Sequence, residues 1–92
     1  MFLLVAFDIS DDRIRYKAVK VLKGFGTRVQ KSVFECPALT EKQYLEMKDR
    51  LEALVDHRTD SVRYYILCRG CIGNVEWTGV GSPPDERSFA TV

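Results

Sequence analysis

Asp8 closes an apolar run that extends from Met1 to Phe7, and Ser10, Asp11 and Asp12 follow it almost at once. A carboxylate ending such a segment faces partial burial, and that environment suits a cation ligand. An ordinary strand-end acid that caps a nearby amide fits the same residues, and the residues alone do not choose between the two. Mg²⁺ prefers six oxygens and keeps several waters, so a single carboxylate holds it poorly. A twofold axis near Asp8 would supply a second copy of that carboxylate, with Asp11 and Asp12 adding outer oxygens. Such a centre activates a water against a phosphodiester. Cations for the phosphate stand close by. Arg13, Arg15, Lys17, Lys20, Lys23, Arg28 and Lys31 occur with no acid among them, although the whole chain carries a net charge of only +1. A locally basic helix on a nearly neutral chain points to a polyanion-binding face; a merely solvated helix face is the alternative.

His57, the one histidine, lies between Asp56 and Arg58. It reads as a solvated loop residue, since an acid/base role needs geometry that the sequence does not give. Cys68 and Cys71 form a CxxC, and Cys36 with His57 would complete a Cys₃His set by residue type. The expected topology puts Cys36 and Cys68 at the edge opposite His57, which disfavours a zinc site. A thioredoxin-type pair opens a helix. This pair is expected to leave a strand and enter a turn, so reduced, structurally neutral thiols are expected. Lys23, Gly24, Phe25 and Gly26 imitate the start of the aromatic signature of RNA-recognition motifs. Thr27, Arg28, Val29 and Gln30 then stand where stacking aromatics are needed. Gly24 and Gly26 read as helix caps.

These side chains depend on the elements that carry them. Residues 2–9 are apolar at both parities, as in a strand covered on both faces. Ile14, Ala18, Val21, Leu22 and Phe25 share a third of a helical wheel, which predicts a helix over 12–24 capped by Ser10 or Asp11. Residues 27–36 predict one kinked strand or two short ones, with the phase slip corrected by a bend or bulge near Lys31 and Ser32. Thr40 and Gln43 form a capping-box pair ahead of a second apolar stripe, giving a helix over 41–55. A strand over 62–68, a turn around 70–74 and a further strand over 75–79 follow. The order predicts an α+β, ferredoxin-like βαββαβ sandwich over residues 1–80 with an extra C-terminal strand. Residues 81–92 are expected as a tail.

The chain has 92 residues, 46% hydrophobic and 29% charged, which fits one compact domain and excludes a disordered or collagenous chain. With no membrane-length apolar run and no secretory pattern, a cytoplasmic protein is expected. Two apolar sheet faces with only two helices imply a partner, and a second copy is the economical one. A homodimer is therefore expected.

The segments Phe7-Asp8-Ile9-Ser10-Asp11-Asp12, Arg13 to Lys17, Gly26 to Glu35, Asp60-Ser61-Val62-Arg63 and Leu67-Cys68 closely resemble, in order and spacing, the small CRISPR-associated adaptation proteins of the Cas2 family. The resemblance covers about residues 1–80. It implies a ferredoxin-like homodimer that works with the Cas1 integrase in acquiring spacers, and a Mg²⁺-dependent endonuclease acting on single-stranded RNA or double-stranded DNA. By the same resemblance Asp8 matches the catalytic, metal-binding aspartate, one from each subunit sharing one ion. Arg15 and Arg28 match basic positions that bear on nucleic acid, beside Arg13, Lys17, Lys20 and Lys31 from the charge pattern. Ser10, Asp11 and Phe34 would support the site from behind. Phe7 stands where tyrosine is frequent in the family and Lys17 where a second arginine is, which removes a hydroxyl and a bidentate phosphate grip. The last strand of one subunit is implied to pair with the partner's sheet, with residues 81–92, including Phe89, extending the exchange. The alternatives are a non-catalytic DNA-binding dimer that spaces two integrase units, and an unrelated RNA-binding module of the same fold.

Overall fold

The computed structural model of the chain describes residues 1–81 and 84. Its elements run β1 (Phe2–Asp8), α1 (Asp12–Lys23), β2 (Thr27–Gln30), β3 (Val33–Cys36), α2 (Glu41–Leu54), β4 (Ser61–Leu67) and α3 (Arg69–Gly73). The sheet is antiparallel with order β2-β3-β1-β4, the arrangement expected of a ferredoxin-like βαββαβ chain. Both long helices start where the sequence marks them. The Asp11 carboxylate accepts from the Arg13 and Ile14 amides, and Thr40 and Gln43 close a reciprocal capping box.

Leu3, Val5, Phe7 and Ile9 from the first strand region pack with Phe34 and Cys36 of β3, Ala18, Val19 and Leu22 of α1, and Met47 and Leu51 of α2. Burying each such large side chain contributes roughly 1.5–3 kcal/mol. Alternation along β1 sends Phe2 to the opposite face, where it is also fully buried. Ile72 of α3 is buried too, and neither residue belongs to the main cluster. Since Phe2 pairs with Leu67, two residues before α3, that helix covers the Phe2 end of the second face. Further along, Leu4 and Ala6 stay half-buried beside exposed Tyr65.

Three expectations are corrected. The slip in residues 27–36 falls earlier than Lys31: Arg28 pairs with Phe34 and Gln30 with Val33, leaving Val29 as the extra residue of a bulge. Residues 70–74 are not a plain turn, because Arg69–Gly73 coils into α3 with Cys68 as its N-cap. Residues 75–79 form no strand: directly after β4 the chain coils into α3 instead of making the tight turn that would return it along β4. Gly24 is the C-cap of α1, as read from the sequence, with a right-handed φ of −74°; positive φ occurs, among the described residues, only at Gly79 and Gly81. Gly26 is needed for space: a Cβ there would lie 2.3 Å from the Glu35 carbonyl oxygen and 2.5 Å from Cys36 Sγ. Most of the expected tail, including Phe89, lies outside the described residues.

Candidate nucleic-acid and cation site

β1 delivers Asp8 to the end of the sheet where three connections converge. Asp8 pairs with Ser61 at the start of β4, and the Phe7 amide donates to the Ser32 carbonyl in the β2–β3 turn at 3.0 Å. Ser10 donates to Asp60 Oδ1 through its amide at 3.2 Å and its hydroxyl at 3.3 Å. The loop after β1, the β2–β3 turn and the α2–β4 connector are thereby tied together at one end of the sheet.

A shallow cavity of about 200 Å³ opens there, lined by Phe7, Asp8, Ile9, Arg15, Lys31 and Ser32. Three of the residues singled out in the sequence, Asp8, Arg15 and Lys31, thus share one surface. Arg15 is held in place there. Its Nη1 donates to the Ile9 carbonyl at 2.8 Å, and its Nη2 pairs with Asp12. Arg13, Lys17 and Lys20 are exposed on α1 and do not line the cavity, with Lys20 Nζ 5.7 Å from the centroid of the Tyr16 ring. They extend the positive surface along the helix.

Other candidates are engaged elsewhere. Arg28 folds back on its own turn, donating from Nε and Nη2 to the Lys31 carbonyl at 3.0 and 2.5 Å. Phe34 is fully buried, its ring centroid 6.3 Å from that of Phe7, so it reaches the site only through that ring. His57 belongs to a separate cleft of about 350 Å³ with Glu52, Asp60 and Tyr64, and its Nε2 lies 3.0 Å from the Glu52 carbonyl oxygen.

The acids near the cavity also have assigned work. Asp11 caps α1, Asp12 pairs with Arg15 and Asp60 holds Ser10. Among the described residues, Asp8 alone of these four keeps its carboxylate without a hydrogen-bond or ion-pair partner. No group of three or more His, Cys, Asp or Glu side chains among the described residues could hold a metal. One exposed hard-oxygen ligand per chain fits a divalent cation only when water, phosphate or another copy completes the shell.

Asp60, singled out in the sequence only as part of a segment, positions this end of the sheet. Besides Ser10 it accepts from the Asp56 amide at 2.9 Å, and that amide, ahead of those of Ser10, holds its carboxyl below the usual range. In the sequence it is marked by the Asp60-Ser61-Val62-Arg63 segment and by its position just before the strand that pairs with β1. At the opposite end of the sheet, Cys36 pairs with Leu3 and is buried, which pushes its thiol up to about 11. Cys68 and Cys71 are exposed, with their sulfurs 3.2 Å apart.

The family model for CRISPR associated protein Cas2 matches residues 1–75. The CRISPR-associated endoribonuclease Cas2 1 of Chloroflexus aurantiacus is 42% identical over 86 residues, covering 92% of this chain and 91% of its own length. The crystal structure of Streptococcus pyogenes Cas2 superposes with a TM-score of 0.77 at 33% identity, over 86% of this chain and all of that one. A chain of a partial Cas6-RT-Cas1–Cas2 complex superposes with a TM-score of 0.71 at 25% identity, over 82% of this chain and 87% of that one.

Proposed function

The chain belongs to the CRISPR associated protein Cas2 family, and on that premise we propose that it serves spacer acquisition as a nucleic-acid-binding homodimer that hydrolyses phosphodiester bonds at paired Asp8 carboxylates. The observation that carries this reading is the convergence of Asp8, Arg15 and Lys31 on one open cavity. An unengaged carboxylate next to two cations is suited to a phosphodiester: the cations neutralise the phosphate while the carboxylate draws in a hard divalent ion. Mg²⁺ bound by Asp8 from two copies would supply an activated water and screen charge developing on the phosphate. Arg15, fixed by Ile9 and Asp12, offers a positioned guanidinium, and Lys31 a mobile ammonium. Arg13, Lys17 and Lys20 continue the contact along the backbone of the polymer.

A second copy has surfaces to meet. The outer edge of β4 pairs with no other strand among the described residues, and Ile66 on it is 62% exposed. Because every phosphate contact is sequence-independent, single-stranded RNA and duplex DNA are both admissible ligands. The C. aurantiacus relative's name supports the ribonuclease activity, and the solved Cas1–Cas2 complex supports an integrase as protein partner. No helix among the described residues is long and apolar enough to cross a membrane.

One observation favours a second reading, a non-catalytic dimer that spaces integrase units on DNA: among the described residues, each chain brings one free carboxylate to the cavity. A single assay separates the two. Wild type and Asp8→Ala are incubated with duplex DNA and single-stranded RNA, with and without Mg²⁺. The enzymatic reading expects Mg²⁺-dependent cleavage by wild type alone and binding by both proteins. Binding without cleavage by wild type establishes the scaffold, and cleavage retained by Asp8→Ala overturns the assignment of Asp8. Light scattering at micromolar concentration is expected to give the dimer mass; a monomer mass removes the paired carboxylates.

A further inference from the structure

The pair at the end of β4 is built differently from the turn that its sequence suggests. Cys68 is the N-cap of α3 and Cys71 lies within that helix, so one short turn carries both thiols on the same side. Their sulfurs are 3.2 Å apart, the Cys71 amide donates to Cys68 Sγ at 3.4 Å, and both residues are open to solvent. We propose that Cys68 and Cys71 form a reversible dithiol–disulfide site that exchanges with low-molecular-weight disulfides such as oxidised glutathione.

The roles of the two sulfurs follow from their surroundings. The amide and thiol of Cys71 both stabilise negative charge on Cys68, which holds the Cys68 thiol below its usual range. That same thiolate, lying next to it, raises the thiol of Cys71. Cys68 is therefore the attacking sulfur. Its thiolate displaces one glutathione thiolate and forms a mixed disulfide. Cys71 gives its proton to solvent and attacks Cys68 Sγ, closing the internal disulfide and expelling the second glutathione. Two protein thiols are oxidised, and one glutathione disulfide is reduced to two thiols. A covalent bond needs the sulfurs about 2.05 Å apart, so closure asks for a shift of only about 1 Å.

The chain carries its own control. Cys36 is fully buried on β3, in the core cluster, and its thiol is pushed up to about 11 by burial first and by the Glu35 charge second. It has neither the thiolate character nor the access that exchange requires. The site also stands apart from the proposed nucleic-acid cavity, because Leu67 pairs with Phe2 at one end of β1 and Asp8 lies at the other.

The test uses the full chain equilibrated with mixtures of reduced and oxidised glutathione, quenched with acid, alkylated and mapped by mass spectrometry. Wild type is expected to lose two hydrogens in mass, with Cys68 and Cys71 in one cross-linked peptide and Cys36 alkylated only after denaturation. Cys71→Ser is expected to accumulate one glutathionyl group on Cys68, since nothing resolves it, and Cys68→Ser to react at least tenfold more slowly. Glutathionyl groups on both sulfurs of wild type without an internal cross-link overturn the proposal. So does a cross-link that joins two chains instead of Cys68 and Cys71 of one.

Discussion

The Asp60 carboxylate holds Ser10 across fifty residues of chain, Oδ1 accepting from both the amide and the hydroxyl of that serine. Oδ2 takes the Asp56 amide, so one side chain fastens the end of α2 to the loop that presents Asp8. These donors favour the ionised form and hold its carboxyl below the 3.8 of an unperturbed aspartate. The stabilisation is present above 3.8 and is lost as pH falls through the lowered folded value. Asp60→Asn should therefore be less stable than wild type at pH 7, and the gap should close as pH drops below 3.8. Urea midpoints measured from pH 2 to pH 7 check this; parallel curves for the two proteins would show that Asp60 makes no such contribution.

Arg15 and Lys17 are two residues apart on α1 and should fail in different ways. The Arg15 guanidinium is tied to the Ile9 carbonyl and to Asp12, whereas Lys17 is exposed and, among the described residues, has no hydrogen-bond or ion-pair partner. Removing Arg15 therefore frees the Ile9 carbonyl as well as a phosphate. Arg15→Ala is expected to lower both the urea midpoint and nucleic-acid affinity, and Lys17→Ala affinity alone. Each lost phosphate contact should flatten the dependence of log K on log salt by roughly 0.7–0.9 units. Binding titrations from low to moderate salt supply the slopes.

Much of this arrangement was legible in the chain because its signals are local. Asp11 and the Thr40–Gln43 pair mark their helices by side-chain chemistry within four residues, and the apolar stripes place Ala18, Leu22, Met47 and Leu51. The convergence around Asp8 is a consequence of the βαββαβ order, which those local signals already predict. What escaped depended on contacts distant in sequence or on weak local codes. The Asp60 to Ser10 tie spans fifty residues, and no pattern within either segment announces it. Helix α3 has only five residues and a cysteine as its N-cap, a poor capping signal beside Ser, Thr, Asp or Asn. Arg28 looked like a phosphate ligand by charge, yet its fork matches the carbonyl of a turn three residues away.

Two glycines near the end of α1 separate steric from conformational need. A Cβ on Gly26 would meet the Glu35 carbonyl oxygen at 2.3 Å and Cys36 Sγ at 2.5 Å, so backbone must move. Gly24 has φ of −74°, and its Cβ would meet nothing closer than the Val21 carbonyl oxygen at 3.3 Å. Gly26→Ala should cost about 1–3 kcal/mol through overpacking against β3. Gly24→Ala should stay within about 1 kcal/mol of wild type, since a right-handed conformation suits alanine. Chemical denaturation of both variants decides it, and equal midpoints would overturn the steric argument for Gly26.

Alkaline stability should report the buried thiol of β3. Cys36 holds its proton to about 11 in the folded chain because burial, and then the Glu35 charge, oppose the thiolate; an unfolded thiol ionises near 9. The folded value is raised for an acid that is neutral when protonated, so its contribution is fully present below 9 and is lost as pH rises toward 11. The loss should reach roughly 1–2 kcal/mol by pH 11. Cys36→Ala removes the titrating group at the cost of a small cavity, so it should start less stable at pH 7 and decline less between pH 9 and 11. Tyr64, raised to about 12 by burial and by Glu52 and Tyr44, adds its own decline above 10 and is common to both proteins. The comparison between the two curves therefore isolates Cys36. Identical slopes from pH 9 to 11 would mean that the folded chain tolerates the thiolate, and the packing of β3 against α1 would have to be looser than the fully buried sulfur indicates.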